Sequence, residues 1–78
     1  MEKLVEYIVK ALVDDKQAVN ISSAKKDDEC IITVKVASSE LGRVVGQHGR
    51  NAQAIRTIVR SLAGKQGFSN MKYVVKFE

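Results

Sequence analysis

The sequence predicts an α+β domain whose elements run α-β-β-α-α-β. Three observations lead there. Apolar residues near the N-terminus recur at helical spacing, three later runs alternate every second residue, and a glycine-rich break splits a helical middle in two. The chain has 78 residues, of which 35 are apolar and 21 are Val, Ile or Leu. That suffices for one domain with a modest core and is too apolar for a disordered chain.

Residues 2–14 place Leu4, Val5, Ile8, Ala11 and Leu12 on one helical stripe, with Val9 and Val13 beside it to widen it. Glu6 precedes Lys10 by four residues, a favourable exposed pair. Asp14-Asp15 oppose the negative end of the helix dipole and predict its stop. Residues 18–24 alternate around Val19 and Ile21, as a strand does. The charged stretch Lys25-Lys26-Asp27-Asp28-Glu29 predicts a hairpin connection to the run Cys30–Val36. There Cys30, Ile32, Val34 and Val36 share a buried face, and Ile31, Thr33 and Lys35 a wetter one.

Ser38-Ser39-Glu40 offers an N-cap and a first-turn acid. A short helix over 39–46 with Leu41, Val44 and Val45 follows, and then the break Gly46-Gln47-His48-Gly49. A second helix runs from Arg50 to Ala63, with Ile55, Ile58, Val59 and Leu62 as its stripe and Ala52 and Ala54 where backbones can approach. Gly64-Lys65-Gln66-Gly67 ends it, and Met71, Tyr73, Val75 and Phe77 form one face of a third strand.

Composition narrows the function. The chain has no Pro or Trp and a single Cys, so no disulfide can form within it, which fits a reducing cytosol. No apolar run is long enough to cross a bilayer, and Met1-Glu2-Lys3 reads unlike a secretory leader. The expected location is therefore cytoplasmic. Thirteen Lys and Arg against nine Asp and Glu give a net charge of +4. Residues 38–67 alone carry +4, with all four arginines and only Glu40 in opposition. Guanidinium suits phosphate geometry, so this segment points to an anionic polymer.

The two Gly-x-x-Gly tetrads differ in context. Gly64 to Gly67 joins a helix to a strand, where glycine is an ordinary C-terminal cap. Gly46 to Gly49 joins helix to helix within four residues. Such a turn is expected to present the new helix's first N–H groups at an open corner, where the dipole favours an anion. Arg50 at that N-terminus opposes the dipole, a conflict that an incoming phosphate relieves.

The stretch Leu41-Gly42-Arg43-Val44-Val45-Gly46-Gln47-His48-Gly49-Arg50-Asn51-Ala52-Gln53-Ala54-Ile55-Arg56 resembles the core of a KH domain. In that family a Gly-x-x-Gly turn between two helices clamps about four nucleotides of single-stranded backbone. The element order is similar to the type II KH fold, a three-stranded mixed sheet with three helices on one face. From Leu4-Val5-Glu6-Tyr7-Ile8 to the last strand, the whole chain resembles the KhpA family of small bacterial RNA-binding proteins, as a single domain over residues 1–78.

The resemblance implies that Gly46, Gln47, His48 and Gly49 meet the phosphates, and that Val44, Val45 and Ile55 line or support an adjoining aliphatic groove. Arg50 becomes a further contact, with Arg43, Arg56 and Arg60 as outer candidates. Ala52 stands where many KH domains carry Ile or Leu, which implies a shallower groove. The family also implies a role in RNA regulation or RNA chaperoning, a link to cell-envelope growth and cell shape, and a larger KH-domain partner protein.

Other classes fit less well. No Gly-x-x-x-x-Gly-Lys-Ser/Thr string is present, and no nucleophile–base pair is readable, so no enzyme is expected. His48 has no second His and only a distant Cys30, so neither metal nor cofactor is expected. None of Tyr7, Phe68, Tyr73 and Phe77 lies near the turn in sequence. Without base–aromatic stacking, binding is expected to be weak and poorly selective. Finally, Ala54, Ile58 and Val59 exceed one buried stripe and predict self-association, or pairing with a related KH protein, through the helix over 50–63.

Overall fold

The second strand, β2 (Glu29–Lys35), is the centre of the molecule, with β1 (Asn20–Lys26) and β3 (Lys72–Phe77) on either side. The computed structural model describes residues 1–65 and 72–78. Helices α1 (Glu2–Leu12), α2 (Leu41–Val45) and α3 (Arg50–Lys65) complete the order α-β-β-α-α-β. Met71, expected to open the third strand, and Gly67 of the second glycine tetrad lie outside the described residues.

The sheet is mixed. β1 pairs antiparallel with β2, and Lys26 stands opposite Glu29, so Asp27 and Asp28 alone make the turn. The hairpin is tighter than the charged run 25–29 suggests, because Lys25 and Lys26 continue the ladder. Asp27 adopts φ 57°, which a short side chain bonding its own backbone tolerates. β3 runs parallel to β2, with Val75 beside Ile32.

Alternation along β2 buries Cys30, Ile32 and Val34 on the face that meets the helices, and Val36 just beyond the strand joins them. Val5 and Val9 of α1, Val44 of α2, Ile55 and Val59 of α3, and Val75 of β3 complete one core. Full burial of each such side chain contributes about 2 kcal/mol before the opposing chain entropy. The centre of the α1 stripe is Val5–Val9 rather than the expected Ala11 side, and Ala11 is exposed. Helix α1 also stops at Leu12, because Val13 turns extended and drops its side chain into the core.

Val59 requires a correction. Expected at a self-association surface, it is fully buried between α3 and the sheet and cannot reach a partner. Its helical neighbours Ala54 and Ile58 are exposed, Ile58 to 41%.

One buried charge orders the entrance to α2. Neither Ser38 nor Ser39 forms a side-chain cap; Ser38–Glu40 is a 3-10 turn leading into the helix. Glu40, only 8% exposed, reaches across to the end of α1. Its carboxylate accepts the Asp14 amide at 2.6 Å and the Asp15 amide at 2.9 Å. Arg43 stands 3.7 Å from the same carboxylate and 3.2 Å from Asp14. Glu40 therefore ties the α1 exit to the α2 entrance. Replacing Glu40 with Gln turns an acceptor into an amide donor facing an N–H, and should cost about 2 kcal/mol. In a domain of this size that lowers Tm by roughly 10 °C. A thermal melt of Glu40→Gln within about 2 °C of the parent would contradict this role.

Candidate nucleic-acid interface

The candidate interface is the corner between α2 and α3. After Val45 the Gly46 amide donates to Gly42 O at 2.8 Å, and Gly46 swings to φ 82°, ψ 164°. Only glycine adopts that region without strain. Gln47–Gly49 form a single 3-10 turn in which His48 is left-handed, at φ 58°, ψ 24°, and Gly49 has φ 72°. Histidine is among the few non-glycine residues that visit this region.

The two glycines serve different needs. A Cβ on Gly46 would lie 2.8 Å from Asn51 Cγ and 2.9 Å from Asn51 N, so both conformation and space demand glycine. Around Gly49 nothing stands within 4 Å of a Cβ position, so conformation alone demands it. Asn51 closes the corner: its side-chain amide donates to Arg43 O at 3.0 Å and so joins the last turn of α2 to the first of α3.

The amides are distributed otherwise than the sequence suggests. Two amides at the α3 entrance are in use, since Gly49 donates to Gly46 O at 3.0 Å and Arg50 to Gln47 O. Among the described residues, the Gln47 and His48 amides have no backbone acceptor. Both residues are exposed. Successive amides in a helical-then-left-handed turn form a concavity suited to an anion. The open donors thus lie in the turn, ahead of the helix.

The structure divides the remaining candidates. Arg50 is exposed at the corner and Arg60 is exposed further along α3. Arg43 is held by Asp14 and Glu40. Arg56 is turned toward β3: its Nε and Nη2 donate to Val75 O at 3.3 and 3.1 Å, and its guanidinium lies 5.5 Å from the Phe77 ring centre. Val44 and Ile55 are buried, so they support the corner from beneath, while Val45 is half-buried beside it. Ala52 is 3% exposed, where a small side chain lets α3 sit close against its neighbours. Sequence reasoning missed Asn51 and the reach of Glu40. The signal for Asn51 was its place five residues after Gly46, in the first turn of the helix that this glycine must let approach. Among the described residues no cluster of His, Cys, Asp or Glu can hold a metal.

An α-β-β-α-α-β chain on a three-stranded mixed sheet, with an exposed Gly-x-x-Gly turn between its second and third helices, is a type II KH domain. The profile of the family described as KhpA/KhpB, KH domain, matches residues 2–77, and the chain belongs to that family. It is similar to the RNA-binding protein KhpA of Clostridium perfringens, at 40% identity over 97% of each chain. The RNA-binding protein KhpA of Caldanaerobacter subterraneus is 46% identical over 85% of this chain and 88% of its own. That of Aquifex aeolicus is 36% identical over 86% of this chain and 85% of its own. No solved structure matches the chain at a significant level. Family membership carries the non-catalytic assignment.

The glycines give a graded prediction. Gly49→Ala should cost about 1–2 kcal/mol, the penalty for a left-handed alanine. Gly46→Ala adds a clash with the Asn51 backbone and should cost about 3 kcal/mol or more. Urea denaturation of the two variants measures the gap, and equal losses would show that Asn51 does not press on the turn.

Proposed function

We propose that this protein binds single-stranded RNA in the cytoplasm, with the Gly46–Gly49 turn clamping the sugar–phosphate backbone. The observation that carries the reading is the corner itself. It joins two amides that have no backbone acceptor among the described residues, open space above Gly49 and the exposed guanidinium of Arg50. The names of the similar proteins support the choice of RNA. Contacts to phosphate position a strand without reading its bases. A clamp of this kind suits an RNA chaperone or a post-transcriptional regulator that meets many transcripts. The link to cell-envelope growth and cell shape rests on family resemblance.

Replacing Gln47 and His48 together with Asp tests the clamp. Two carboxylates near phosphates each cost about 1–4 kcal/mol before screening, enough to weaken binding roughly tenfold or more. Both side chains are exposed, so circular dichroism and Tm should not change. Undiminished affinity for a short single-stranded RNA would remove the turn from the binding site.

A second reading is favoured by Ile58, which at 41% exposure lies on α3 with exposed Ala54 and Ser61 one turn to either side. On this reading the protein is a subunit that pairs through α3 with itself or with a larger KH-domain protein, and its own RNA contact is secondary. Light scattering over a range of concentrations should report a dimer that Ile58→Asp dissociates. A parent protein that stays monomeric throughout excludes self-pairing.

A further inference from the structure

We propose that the outer face of the sheet is a docking surface for an acidic protein segment, one that carries carboxylates around a small apolar centre. The surface lies on the side of the sheet away from the helices. It uses none of the residues assigned to RNA, so it stands whether or not the turn binds RNA.

Strand alternation divides the sheet. Cys30, Ile32, Val34 and Val75 face the helices, and their neighbours in the chain face the other way. The register sets those neighbours in rows. Ala24 stands beside Ile31 and Ile31 beside Val74, so one apolar row crosses all three strands. With strands about 4.8 Å apart, the row spans roughly 10 Å. Ala24 is exposed, and Ile31 and Val74 are half-buried, yet none of the three packs against the core. Lysines border the row on both sides. Lys26 and Lys72 flank Glu29 on one side, and Lys76 stands beside Thr33 on the other, with Lys35 next along β2 on this face. All four lysines are exposed, and among the described residues none forms an ion pair. The nearby acids are Glu29, Asp27 and Asp28 at the hairpin and Glu78 just past β3. Three of these four lie at the hairpin end, so the lysine excess lies at Lys35 and Lys76.

The chemistry of this face selects its partner. Covering an apolar row removes it from water, and lysines at its rim favour carboxylates opposite them. A second copy of the same face would set lysine against lysine. RNA fits it badly. All four arginines lie outside the sheet, in α2 and α3, and Tyr73 and Phe77 pack against the core. The face therefore offers neither a guanidinium fork for phosphate nor an aromatic plate for a base. Lysine instead supplies a compact charge for a carboxylate and an apolar stem that lies along a partner's apolar surface. The row is small, so the contact it supports is a transient one.

The test uses a short probe peptide with isoleucine and valine at its centre and glutamates on both sides. Titrated into isotope-labelled protein, it should shift the Ala24, Ile31, Thr33 and Val74 amide resonances and leave those of Gln47 and His48 in place. Fluorescence anisotropy then compares variants, with folding checked by circular dichroism and Tm. Ile31→Thr with Val74→Thr keeps β-branched residues in the strands but removes the apolar row. It should weaken peptide binding roughly tenfold and leave affinity for a short single-stranded RNA unchanged. Lys35→Gln with Lys76→Gln should weaken peptide binding several-fold at low salt and flatten its salt dependence. A control peptide with lysines in place of the glutamates should not bind. Should the threonine variant fail to fold, the parent titration and the glutamine variant decide. The proposal is overturned if the acidic peptide leaves the sheet resonances in place, if the lysine peptide binds as tightly, or if the folded variants bind as the parent does. RNA that shifts the sheet face in the peptide's stead would also overturn it, and would assign that face to nucleic acid.

Discussion

The close contact between Gly46 and Asn51 is the constraint on which the functional corner depends. Asn51 backbone and side-chain atoms stand 2.8–3.0 Å from where a Gly46 Cβ would be, and the same side chain grips Arg43 O. The end of α2 and the start of α3 can approach only because the residue between them has no side chain. That approach forces the chain out of helical geometry, through Gly46, left-handed His48 and Gly49, before α3 begins. The strain at His48 is held in place by the helices on either side, a pattern common where backbone geometry serves binding. The concavity of amides follows from the packing.

The same logic extends outward. Helix α2 has only five residues and would not persist alone. It is anchored beneath by Val44 in the core, at its entrance by Glu40 on the Asp14 and Asp15 amides, and at its exit by Asn51. Buried Val5, Val9, Ile32, Val34 and Val59 provide the platform against which these anchors hold. A rigid platform with an exposed corner keeps the corner's donors aimed without a bound partner, and so lowers the entropy lost on binding.

Much of this was legible in the sequence because periodicity reports burial. The alternation in Cys30–Val36 and the glycines between two helical runs are local signals, and both the element order and the exposed turn followed from them. What escaped were partners far apart in the chain. Glu40 read as a first-turn acid, yet its partners lie 25 and 26 residues away. The arginines read as one basic field, yet Arg43 and Arg56 are committed to Asp14 and Val75. Val59 looked surplus to one stripe, because a sequence cannot state how wide a face the sheet covers. The expected donors are replaced by the Gln47 and His48 amides, since a 3-10 turn, invisible to apolar spacing, uses those of Gly49 and Arg50.

The central claim is that the turn meets phosphate through its own backbone, and backbone-amide NMR tests it most directly. Titrating isotope-labelled protein with a short single-stranded RNA should shift the Gln47 and His48 amide resonances most, with Arg50 following and the outer face of the sheet unchanged. If the largest shifts fall on β1 and β2 while Gln47 and His48 stay fixed, the corner is not where this protein holds its ligand.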